Sequence, residues 1–69
     1  MEGLIKSYSD RYGFIRARGR DYFFKRSAWK EDDDPVVGEK VTFIPVRNDK
    51  GDRAIRVYRA KENENDGYF

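Results

Sequence analysis

The run from Arg11 to Arg26, RYGFIRARGRDYFFKR, places five aromatic and six cationic side chains in sixteen positions. A core excludes the guanidinium groups and a solvated surface gains nothing from the rings, so neither accounts for the mixture. Aromatic faces interleaved with cations suit unpaired bases, which stack on π-surfaces while Lys and Arg neutralise their phosphates. Catalytic chemistry is thinly represented by comparison. The chain has no His and no Cys, which removes the common general base, the thiol nucleophile, disulfides and the usual zinc ligands. There is no glycine-rich phosphate loop, so the chain is not expected to be an enzyme and no cofactor or metal is expected. The adjacent side chains of Asp32, Asp33 and Asp34 diverge, and the run Glu31 to Asp34 is expected to be a solvated acidic loop.

The net charge of +2 conceals a segregation, because residues 1–30 hold eight Lys and Arg against only Glu2, Asp10 and Asp21. Of the other ten acids, seven concentrate in Glu31 to Asp34 and in Glu62 to Asp66. A basic surface with its acids set apart points to a polyanionic partner. No apolar run approaches the roughly 18 residues of a membrane span, and the first residues, Met-Glu-Gly-Leu-Ile-Lys, lack a signal-peptide pattern. A monomer in the cytoplasm, with no membrane association, is the expectation.

These side chains need elements to position them. A chain of 69 residues makes one domain near the lower size limit for a core without staples. Five stretches rich in β-branched and aromatic residues alternate with turn signals: Leu4 to Ser9, Tyr12 to Ala17, Tyr22 to Arg26, Lys40 to Val46, and Arg53 to Arg59. No segment carries a helical stripe. Gly19, Asp33-Asp34-Pro35 and Asn48-Asp49-Lys50-Gly51 break the pattern, the last as a hairpin loop, and Pro45 belongs at an edge or bulge. The fold class expected is all-β: five short strands forming a small closed or partly open barrel over residues 1–59, since closure removes exposed edges. An acidic flexible tail is expected over residues 60–69. Alternation puts Tyr12, Phe14 and Arg16 outside with Phe23 and Lys25, and Gly13, Ile15, Ala17, Tyr22 and Phe24 inside. Trp29 is expected to be buried against the barrel.

The same residues resemble a family. Tyr12-Gly13-Phe14-Ile15 is similar to the end of the first ribonucleoprotein motif of cold-shock domains, Lys-Gly-Phe-Gly-Phe-Ile. The run Asp21 to Ser27, DYFFKRS, resembles the second, Asp-Val-Phe-Val-His-Phe-Ser. Gly3 to Ser9 resembles the opening Gly-x-Val-Lys-Trp-Phe-Asn, Gly38 to Phe43 resembles Gly-Gln-x-Val-x-Phe, and Lys50 to Val57 resembles the last strand's Gly-Pro-x-Ala-x-x-Val. The likeness, to the bacterial cold-shock protein type, spans residues 3–58. It implies a five-stranded antiparallel oligonucleotide-binding (OB-fold) barrel of cold-shock type that holds single-stranded RNA or DNA by base stacking, with low sequence preference, and captures melted strands. Tyr12, Phe14 and Phe23 would stack bases, with Tyr8 extending the platform. Lys6, Arg11, Arg16, Lys25, Arg26 and Lys50 would contact phosphates or bases.

Departures from the family pattern qualify that picture. Ser7 stands where the family has Trp, Lys25 where it has His, and Arg26 where the second motif ends in Phe. At about 1–3 kcal/mol per stacked base, the exchange of rings for cations makes binding weaker and more electrostatic. A second reading stands beside the first: a protein-interaction or regulatory module that keeps the barrel and grips a protein partner with the remodelled face.

Overall fold

The computed structural model describes residues 1–60, so the expected tail, Ala60 apart, lies outside the described residues. Strands β1 (Glu2–Ser9), β2 (Tyr12–Ala17), β3 (Arg20–Lys25), β4 (Lys40–Asn48) and β5 (Gly51–Arg59) are joined by tight turns and by one longer connection that opens with a 3₁₀ turn at Arg26–Ala28. They form a closed barrel in the order β1-β2-β3-β5-β4. Every neighbouring pair is antiparallel except β3 and β5, which run parallel and meet at a single residue pair, Phe23 with Arg53.

The strands are longer than the residue pattern suggests, because the turns are tighter. Arg18 and Gly19 both take positive φ, 53° and 78°, the signature of a type I′ turn whose twist matches the flanking strands. Pairing therefore continues to Ala17–Arg20, and β3 begins at Arg20 rather than Tyr22 and ends before Arg26. In the β4–β5 hairpin the Asn48 side chain accepts the Lys50 amide N–H at 2.8 Å. Asn48 pairs with Gly51, and the four-residue loop expected there shrinks to Asp49–Lys50.

Ile5, Ile15, Ala17, Tyr22, Phe24, Trp29, Val41, Phe43, Ala54 and Val57 form the core, with no charged or polar side chain buried among them. The small barrel leaves Gly13 no room for a side chain: a Cβ there would lie 2.5 Å from the Ser7 carbonyl oxygen and 2.9 Å from the Phe24 ring.

Two bulges interrupt the alternation. In β1 the pairing with β2 passes from Ile5–Ile15 to Ser7–Phe14, which makes Lys6 the extra residue. In β5 the pairing with β4 passes from Ile44–Ile55 to Thr42–Tyr58, so Arg56 and Val57 together face Phe43. Arg56 has φ 50°, the left-handed conformation that opens a bulge of this type. It turns Arg56 to solvent and lets Val57 follow Ala54 into the core. Pro45 falls beyond Lys40–Thr42, the stretch of β4 that pairs with β1, where a missing donor disturbs one ladder at most.

The connection after β3 is pinned by Arg59. Its guanidinium lies 5.4 Å from the Trp29 ring centroid and bonds Glu39 and, at 3.0 Å, Asp33. Its amide N–H donates to Glu31 at 2.9 Å, and the Trp29 indole N–H donates to the Asp33 carbonyl. The hydrogen bonds that the guanidinium donates to Glu39 and then to Asp33 hold it above its ordinary pKa. The acidic loop is therefore more than solvated: Glu31 and Asp33 tie the connection to β5 through Arg59, and Asp34 lies 3.6 Å from Arg26 within the connection itself.

Two substitutions test the packing and the turn. Gly13→Ala is expected to cost about 1–3 kcal/mol of unfolding free energy through overpacking against Phe24. Arg18→Asn is expected to stabilise by about 0.5–1 kcal/mol, because Asn tolerates the left-handed position better than Arg. Urea unfolding followed by circular dichroism measures both.

Candidate nucleic-acid interface

The outer face of the β2–β3 hairpin is built by register. Phe14 lies directly opposite Phe23, Tyr12 opposite Lys25, and Arg16 opposite Asp21, while Ser7 and Ser9 of β1 flank Phe14 and Tyr12. The three rings touch one another, with centroids 5.6 Å apart for Tyr12–Phe23, 5.7 Å for Phe14–Phe23 and 6.5 Å for Tyr12–Phe14. Their planes are inclined by 35°, 67° and 89°. The surface is therefore faceted rather than flat, and each ring is held by its neighbours in a tilted or edge-to-face contact. Tyr12 is 48% exposed, and Phe14 and Phe23 are half-buried, so the cluster presents aromatic surface without belonging to the core. On the β5 side the Arg53 guanidinium lies over the Phe23 ring at 5.6 Å.

Tyr8 is a correction. Strict alternation from Ile5 would turn it outward, but the extra residue Lys6 shifts the phase, sets Ser7 beside Phe14 and brings Tyr8 opposite Gly13 on the inward side. Its ring stacks on the buried Phe24 at 6.2 Å with planes 16° apart, and its hydroxyl donates to the Asp10 carbonyl at 3.2 Å. Tyr8 braces the core under the hairpin and is not brought together with the other three rings.

The cations divide into two sets. Lys6 and Arg16 both grip Asp21, at 2.7 Å and 2.5 Å, and these hydrogen bonds, Lys6 first, hold the Asp21 carboxyl below the usual carboxylate range. Arg26, placed in the 3₁₀ turn, faces Asp34 at 3.6 Å, and its amide N–H donates to the Arg11 carbonyl at 2.7 Å. Arg11 stands exposed in the β1–β2 turn. Lys25 and Lys50, by contrast, come together with Phe23, Asp52 and Arg53 around a cleft of about 280 Å³ at the thinly paired β3–β5 seam.

Residue reasoning missed Arg53 and Asp21. Asp21 was visible as the cross-strand neighbour of Arg16 in any hairpin turning at Arg18–Gly19. Arg53 was not, because its place beside Phe23 depends on a parallel contact between strands distant in sequence.

A separate outer surface on β4 and β5 carries Ile44 (47% exposed), Ile55 (40%) and Tyr58 (46%). Ile44 lies directly opposite Ile55, and no part of the described chain covers them.

No family model matches the chain, and no curated protein sequence matches it. Among solved structures it is similar to Drosophila Unr, CSD456, at 22% sequence identity and a TM-score of 0.76, over 94% of this chain and 28% of that one. The chain thus spans less than a third of that neighbour, and the likeness extends to the fold: a five-stranded barrel of the cold-shock type.

Proposed function

We propose that the chain binds single-stranded RNA or DNA, with unpaired bases on Tyr12, Phe14 and Phe23 and the backbone along Arg11, Lys25, Lys50 and Arg53. The observation that carries this reading is the exposed ring cluster, bordered by cations, on the hairpin of a cold-shock-type barrel. Stacking is indifferent to base identity, which supports low sequence preference and capture of strands as they melt. Lys6, Arg16 and Arg26 reach phosphates only by exchanging a carboxylate for them, so Asp21 tempers the affinity. The reading requires binding and no catalysis.

A protein partner is favoured by a different observation, the exposed Ile44, Ile55 and Tyr58. That surface lies on β4–β5, not on the remodelled positions Ser7, Lys25 and Arg26, so the two activities would be separable by mutation.

Phe14→Ala or Phe23→Ala is expected to weaken single-strand binding by about 1–3 kcal/mol with the barrel still folded by circular dichroism. Anisotropy titration of labelled single strands and duplexes measures this. Wild-type dissociation constants no tighter than about 10⁻⁴ M for every strand would overturn the reading. Asp21→Asn releases Lys6 and Arg16 and is expected to tighten binding and to steepen the salt dependence by a log-log slope of about one. A titration series in NaCl tests it, and an unchanged slope would show that neither cation meets phosphate.

A further inference from the structure

Closure of the barrel through a single β3–β5 residue pair leaves the seam open, and three cations gather beside it. Lys25, Lys50 and Arg53 line the cleft of about 280 Å³ together with Phe23 and Asp52, and among the described residues none of the three cations is in an ion pair. Asp52 does not cancel them. Its carboxylate, 19% exposed, is engaged at 3.3 Å by Arg20 and at 3.3 Å by Arg47. The floor is the Phe23 ring with the Arg53 guanidinium over it.

We infer that this cleft receives the terminal nucleotide of a single strand, with its phosphomonoester on Lys25 and Lys50 and its base against Phe23 and Arg53. The inference rests on the single-strand reading above and adds the class of strand end it prefers. Charge is the reason. A phosphodiester inside a strand carries one negative charge, whereas a terminal phosphomonoester carries about 1.5–2 at neutral pH. The paired cations Lys6, Arg16 and Arg26 face their own carboxylates, while the unpaired excess of the cleft is matched by the more highly charged end group. Size agrees, since the volume is close to the lower bound of about 300 Å³ for small-ligand sites, the scale of one nucleotide.

The test uses the full chain and three internally labelled single strands of one sequence, about ten nucleotides long, with a 5′-phosphate, a 3′-phosphate or hydroxyls at both ends. One phosphorylated strand is expected to bind about 3- to 10-fold tighter than the hydroxyl-ended strand in low salt. That preference is expected to collapse between about pH 7.2 and about pH 5.5, as the phosphomonoester takes up its second proton. The charged groups facing it are Lys25, Lys50, Asp52 and Arg53, and the chain has no His, the side chain that ordinarily titrates in that window. Lys25→Gln with Lys50→Gln is expected to weaken all three strands, because both lysines also meet backbone phosphates, and to remove the difference between the phosphorylated and the hydroxyl-ended strand. Equal binding of all three strands, or a preference that survives the double substitution, would overturn the inference and leave single-strand binding standing. No binding of any strand overturns both. Competition by a free nucleoside monophosphate as effective as the phosphorylated strand would assign the cleft to mononucleotides and remove the strand end from the proposal.

Discussion

Phe24 is fully buried, and its ring edge occupies the space that a side chain at position 13 would need. Tyr8 stacks on the same ring. With Phe24 seated against Gly13, Ile15 and Tyr22 must also face inward and Phe14 and Phe23 outward. A slip of one residue would expose Ile15 and Phe24 and bury Arg16. Burying one such side chain is worth about 1.5–3 kcal/mol, against at most about 1 kcal/mol for an exposed ion pair, so the core and not the surface charge sets the register. The exposed ring cluster is a consequence of that packing.

The electrostatics of the face follow from the same register. Pairing Arg16 with Asp21 across the β2–β3 hairpin, and adding the Lys6 bulge beside them, gathers two cations on one carboxylate. Lys25, Lys50 and Arg53, which no carboxylate engages among the described residues, lie at the border of the ring cluster on the β3–β5 side. The ring cluster and the charged cleft share one residue, Phe23, whose ring belongs to the cluster on one side and to Arg53 on the other.

Both bulges divide inward from outward positions where simple alternation would misplace them. Lys6 turns Tyr8 into the barrel, and Arg56 lets Val57 reach the core while Tyr58 returns to the surface. Ile44 and Ile55 face outward by simple alternation ahead of that second shift, and the shift adds Tyr58 to the same exposed apolar face.

Much of this was determined by the sequence itself. Strict alternation from Tyr12 to Ala17 and again through Tyr22 to Lys25, separated by a glycine turn, is a local pattern that allows one arrangement of the hairpin. The five-stranded barrel follows from the number of short strands and the need to leave no edge unpaired. What only the tertiary structure decided are features that depend on contacts between distant segments or on a residue inserted into a ladder. Tyr8 faces inward because Lys6 is an extra residue opposite β2, and no residue type in β1 announces a bulge. Arg53 meets Phe23 because β3 and β5 come together in parallel after the long connection is tied down by Arg59. Which cations are paired was likewise settled by which carboxylate the folded chain brings within reach of each. Periodicity specifies the face a side chain occupies, and only the closed barrel specifies its neighbours there.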